Sequence, residues 1–219
     1  MGHDGWVQDW VAWHEQYDDP ASRLRVRLAQ VQQHLAAALD RAPAGPVRLL
    51  SLCAGQGRDV LGVLPGHRRR DDVTAVLVEA DPDNAGRARR DAAAAGLSGV
   101  EVRAADASLV ASFADALPAD VLLLCGIFGN VRADEIERTV AAAPALCASG
   151  ATVIWTRHRR PPDLTPQVRG WFTAAGFEEL AFDAPGTPTR TGVGVAVLRA
   201  AGGAVLPEGR LFEFGSAYR

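Results

Sequence analysis

Lysine is absent from this sequence, and all 23 basic residues are arginine. No Schiff base, pyridoxal phosphate anchor or lysine general base can therefore be built here. Cysteine occurs only three times, as Cys53, Cys125 and Cys147, an odd number at spacings that match no zinc pattern. All three lie in or beside apolar runs, which reads as buried, reduced thiols in a cytoplasmic protein with no metal site. No apolar stretch approaches the ~20 residues a membrane span requires, and the first residues lack the apolar region of a signal peptide. The formal net charge of −3 supplies no field that would gather nucleic acid. Two phosphate-binding signatures are missing as well. There is no P-loop, and position 60 is valine where the dinucleotide fingerprint needs its third glycine.

What is present centres on one stretch. Residues 47–52 form an apolar run of the length a buried strand takes. The run breaks into Gly55-x-Gly57, and a helical pattern through Val60, Leu61, Val63 and Leu64 follows at once. Strand, glycine turn and helix start together make a ligand-binding unit, because glycines admit a ligand to the backbone and the first helical N–H groups point at it. Further runs at 73–78, 100–104, 121–125, 151–156, 177–182 and 193–198 read as strands. Helical patterns at 82–95, 108–116, 133–146 and 165–175 alternate with them. Such alternation predicts an α/β fold, a mostly parallel sheet with helices on both faces, closed by an antiparallel hairpin. In such sheets the ligand sits beyond the carboxyl ends of the strands. Glu79 ends the second strand there, where a carboxylate can accept hydrogen bonds from both hydroxyls of a ribose, and Asp81 caps the helix that follows.

The stretch 51–57 resembles the first motif of class I S-adenosylmethionine (SAM) dependent methyltransferases, Asp-x-Gly-x-Gly-x-Gly. Ser51 stands at the acidic position and Cys53 at the first glycine, whereas Gly55 and Gly57 fit. Glu79, Asp106 and the loop from Cys125 to Asn130 follow in the family's order, and the resemblance covers residues 47–198. It implies a Rossmann-like three-layer sandwich with seven strands, the last antiparallel. It also implies SAM as cofactor, held by Ser51, Cys53, Ala54, Gly55, Gly57, Glu79, Ala80, Asp106, Ala107, Cys125 and Gly126. Asp106 would take the adenine amino group and the Ala107 backbone the ring nitrogens. Phe128 and Asn130 would face the acceptor, with Asn130 in a catalytic role. Where nucleobase-methylating relatives carry Asp/Asn-Pro-Pro-Tyr/Phe, this chain has Cys-Gly-Ile-Phe-Gly-Asn, which points to a small-molecule acceptor.

The remaining candidates flank this body. Trp6, Trp10, Trp13 and Tyr17 share one face of a predicted helix, either packed on the domain or closing over a ligand with His14 beside them. A second helix begins near Asp19-Pro20 and buries Leu24, Leu28, Val31 and Leu35, so residues 1–46 form a helical lid or extension on the domain 47–219. Past the fifth strand, His158 is a candidate base for a hydroxyl, and Arg157 can grip a carboxylate or phosphate. The run Arg68-Arg69-Arg70 reads as a solvated turn, and residues 212–218 as an edge strand or an oligomer contact. The sequence thus predicts a SAM-dependent methyltransferase of specialised metabolism, a monomer or homodimer in the cytoplasm. A non-catalytic SAM-binding regulator, or a related fold using NAD or SAM for another reaction, remains the alternative.

Overall fold

Apolar residues alternate along the strands, and the alternation sorts them onto two faces of one sheet. The computed structural model describes residues 17, 19, 22–184, 191–200 and 204–214. Within them run α1 (Arg23–Arg41), β1 (Val47–Leu52), α2 (Arg58–Leu61), β2 (Val73–Glu79), α3 (Pro82–Ala94), β3 (Val100–Ala104) and β4 (Ala119–Leu124). Then follow α4 (Ala133–Leu146), β5 (Cys147–His158), α5 (Thr165–Ala174), β6 (Phe177–Asp183) and β7 (Thr191–Leu198). The sheet order is β3-β2-β1-β4-β5-β7-β6, with β7 antiparallel to both of its neighbours. Leu50, Leu52, Leu122, Leu124, Val153 and Trp155 face one side, where they pack on α4 and α5. Leu49, Leu77, Val121, Leu123 and Ile154 face the other, against α1, α2 and α3. Burying each such side chain contributes ~1.5–3 kcal/mol, so the two faces together hold the three layers.

Several boundaries differ from the sequence reading for identifiable reasons. Helix α1 starts at Arg23, capped by Ser22, whose Oγ accepts from Leu24 N at 3.1 Å. Helix α2 stops at Leu61, and Pro65, which has no N–H to donate, sits in the 3₁₀ turn Leu64–Gly66 that follows. The helix expected over 108–116 is two 3₁₀ turns, Val110–Ser112 and Ala114–Ala116. There the Val110 amide donates instead to the Gly209 carbonyl, at 2.9 Å.

Two other expectations are corrected. Arg69 is not solvated: it is 8% exposed, and its guanidinium donates to the carbonyls of Leu39, Ala42, Pro43 and Gly45 at 2.7–3.0 Å and to Asp72 at 3.1 Å. It thus satisfies the orphan carbonyls at the end of α1 and in the turn into β1. The segment 208–214 is not an edge strand. It crosses the ends of β3 and β4 as a strap. Leu211 N donates to Ser108 O at 2.7 Å, Glu213 N donates to Glu135 at 2.9 Å, and Leu211 and Phe212 are sunk in the core.

Candidate active site

The strand order reverses between β1 and β4, and there a parallel sheet opens a crevice. A cavity of about 1040 Å³ occupies it, bounded by the loops after β1 to β5, by α1 and by the strap. This is the top of the ~300–1,000 Å³ range of small-molecule sites.

The loop after β1 forms its floor. Cys53, Gly55 and Gly57 all have positive φ, at 54, 56 and 68°. Cys53 therefore adopts the left-handed conformation that favours glycine, at a cost of ~1–2 kcal/mol. Gly57 is fixed by space as well, since a Cβ there would lie 2.8 Å from the Leu77 side chain. Glu79 ties this loop to the next, because its carboxylate accepts from Gly55 N at 2.7 Å and from Asp81 N at 2.9 Å. Burial raises the Glu79 pKa, an effect the Asp81, Gly55 and Ala80 backbone amides oppose. Asp81 caps α3 as expected, accepting from Asn84 N at 2.8 Å. One strand over, Asp106 accepts from Ser108 N at 2.9 Å and from Arg210 of the strap at 3.0 Å. Its desolvation is outweighed by the Ser108 and Arg210 hydrogen bonds, which leave its pKa lowered.

The end of β5 braces the loop after β4. Thr156 Oγ1 accepts from Gly126 N at 2.9 Å, and Asn130 Nδ2 donates to Gly126 O at 2.6 Å. Arg157 donates to the Phe128 carbonyl. Gly129 leaves the room His158 needs, since a Cβ would stand 3.3 Å from the imidazole. Burial lowers the His158 pKa, and the charges of Arg157 and Arg160 lower it further, against the opposing pull of Asp163 and the Gly129 backbone. His158 is therefore a neutral imidazole at pH 7.

Of the residues singled out in the sequence, Cys53, Ala54, Gly55, Glu79, Ala80, Asp106, Ala107, Cys125 and Gly126 line the cavity, as do Tyr17, Asn130, Arg157 and His158. Three do not. Ser51 is 1% exposed, on the sheet face beneath α1 and α3. Gly57 shapes the turn without reaching the cavity. Phe128 is 0% exposed and packs on Trp155 and Phe172, so its ring offers no acceptor surface. Trp10 and His14 fall outside the described residues.

Residues that sequence reasoning passed over also line the cavity. Asp59 is buried in its wall, and desolvation raises its pKa to about 6. Asn84 is fully buried, and its Nδ2 has no partner. Leu24 and Leu28 of α1, expected in the core, face the cavity instead, and the strap adds Arg210, Glu213 and Phe214. Asp59 and Asn84 had a signal, since each is a polar residue in the first turn of a helix that starts at a predicted ligand loop. The strap had none, because 104 residues separate Arg210 from Asp106. Among the described residues no cluster of three or more His, Cys, Asp or Glu is placed to hold a metal ion. No described helix is long and apolar enough to cross a membrane.

This topology is the class I methyltransferase fold, a Rossmann-like seven-stranded sheet with one antiparallel strand. No family model matches the sequence, and no curated protein does either. Solved structures do match. An O-methyltransferase family protein from Burkholderia thailandensis is similar over 85% of this chain, with TM-score 0.58 and 20% identity. The CurJ carbon methyltransferase is similar over 87%, with TM-score 0.64 and 15% identity. This chain spans 62% and 58% of the lengths of those two proteins. Magnesium protoporphyrin IX methyltransferase from Synechocystis, crystallised with S-adenosylhomocysteine (SAH), is similar over 86% of this chain and 92% of its own, with TM-score 0.65 and 13% identity.

Proposed function

We propose that this chain is a SAM-dependent methyltransferase with a small-molecule acceptor. One observation carries the proposal: Gly55, Glu79 and Asp106 come from the ends of three neighbouring strands into one cavity. The cavity wall fits a nucleoside with an amino-acid tail. Each Glu79 oxygen takes one backbone donor and keeps acceptor capacity for a ribose hydroxyl. Asp106 accepts from an adenine amino group, and the orphaned Asn84 Nδ2 supplies a buried donor for a ligand. Ser51 has no charge for the tail's ammonium, and it is buried within β1 away from the cavity lining, which removes it from that task. Asp59, a buried carboxylate of the cavity wall, takes it over.

SAM when bound supplies an activated methyl group, so the protein's work is mainly alignment, worth effective molarities of ~10⁵–10⁸ M in favourable cases. Asn130, braced on Gly126, and His158, neutral at pH 7, form the acceptor wall. His158 receives the proton of an acceptor hydroxyl. The same cavity reaches Asn130, Arg157 and His158, which gives an acceptor a place and supports an enzyme over a purely regulatory SAM binder. The three free thiols favour a reducing compartment, the cytoplasm.

Thermal unfolding with added ligand tests the proposal. SAH at 100 times its dissociation constant stabilises the native state by ~2.7 kcal/mol and so raises Tm, while NADH leaves Tm unchanged. A rise with NADH and none with SAH refutes the proposal.

A further inference from the structure

Among the described residues two arginines are buried, and they are satisfied very differently. Arg69 has four carbonyls and the Asp72 carboxylate around it. Arg157, 6% exposed, donates one hydrogen bond to the uncharged Phe128 carbonyl, and its Nε has no partner. A buried charge without a counter-ion is unfavourable by several kcal/mol in order of magnitude, so it is normally paired. The carboxylate that acts on Arg157 from nearby, Asp163, is already engaged by Arg159 at 3.1 Å and by Thr165 at 2.7 and 2.9 Å. Arg160 also lines the cavity, exposed, and it forms no ion pair among the described residues. Between these two cations lies His158, with an unpartnered, buried Nδ1. The opposite end of the cavity carries Glu79, Asp81 and Asp106. Three carboxylates thus gather at the ends of β2 and β3, with Arg210 paired to Asp106, and two arginines stand beside the acceptor wall.

We propose that Arg157 and Arg160 hold an anionic group of the methyl acceptor, a carboxylate or a phosphate, so that the acceptor is a small acid. This rests on the methyltransferase reading above. Arginine suits the task because its planar fork pairs either oxyanion through two parallel N–H donors. Held there, the acid presents its nucleophile to His158, and the proton removed from that nucleophile passes to the imidazole.

Calorimetric titration of SAH-saturated protein with inorganic phosphate and, separately, with benzoate tests this, with benzamide as the uncharged control. Saturation matters, because the amino-acid tail of SAH carries a carboxylate of its own. The proposal expects one oxyanion to bind with SAH in place, benzamide not to bind, and Arg160→Gln to weaken the oxyanion about tenfold with unchanged SAH affinity. Whichever of phosphate and benzoate binds more tightly identifies the group. Loss of oxyanion binding on SAH saturation would assign the arginines to the cofactor's own carboxylate and overturn the proposal. Equal oxyanion affinity in Arg160→Gln would overturn it too. Should SAH fail to bind at all, the methyltransferase reading falls. The same titration of the ligand-free protein and of Arg160→Gln then still decides whether these arginines bind an oxyanion. Arg160 is exposed and forms no ion pair among the described residues, so its substitution leaves folding intact, which the unfolding transition of the variant verifies.

Discussion

Asp59 carries a charge that the fold alone does not favour. Its carboxyl is buried, and its folded pKa lies at about 6 against an ordinary value of 3.8. Between those values the folded state holds a proton that the unfolded chain has lost. Stability is therefore highest below the ordinary pKa and declines as pH rises through about 6. The difference corresponds to on the order of 2–3 kcal/mol at neutral pH. Asp59→Asn keeps an oxygen for the Val60 amide, which Asp59 Oδ1 accepts at 2.9 Å, and removes the charge. Urea unfolding should find the variant more stable than the wild type by roughly 2 kcal/mol at pH 7.5, with the gap closing towards pH 4.5. A gap that does not change with pH would show that Asp59 is not buried as a charge. Glu79 and Asp106 were legible in the sequence because a strand end is a fixed address, whatever the rest of the fold does. Phe128 was not, since its position past a strand end left open whether the ring turns to the cavity or the core. Three aromatic neighbours, Trp155 and Phe172 in direct contact and Phe177 behind them, decide for the core.

At the level of elements, periodicity identified the central strands and α4 because each buries most of its apolar residues. It failed where an element is shaped by a distant partner. The apolar stripe of α1 is a single pattern, yet Leu35 is sunk in the core, Leu24 and Leu28 reach the cavity, and the buried Val31 touches both. Helical spacing cannot distinguish the two, because the helix passes off the edge of the sheet's cover. The strap is the clearest case. Its amides pair with Ser108 and Glu135, far away in the chain, and Phe212 is 0% exposed. Phe212→Ala should lower the unfolding free energy by ~3–5 kcal/mol, as for other core phenylalanines. A loss below ~1 kcal/mol would mean that the strap detaches without cost to the rest of the fold.

For the whole molecule, topology and charge point to one place. The strand order reverses at β1 and β4, and the cavity there draws Glu79, Asp81 and Asp106 from the ends of β2 and β3, its acidic end, and Arg157 and Arg160 from the end of β5, its basic end. The fold was legible as an alternation of strands and helices, and the acidic end as two carboxylates in order. The basic end was visible only in part, because sequence alone cannot tell Arg69, saturated by carbonyls, from Arg157, which is not.

The central claim is that the acidic end holds SAM, and Glu79 tests it most directly. In Glu79→Gln the side chain keeps one acceptor oxygen, so Gly55 N, Asp81 N and the ribose hydroxyls compete for it. Calorimetric titration with SAH should show tight binding to the wild type and binding weaker by ~1–3 kcal/mol in the variant. Unchanged SAH affinity in a variant with a normal unfolding transition would contradict the claim.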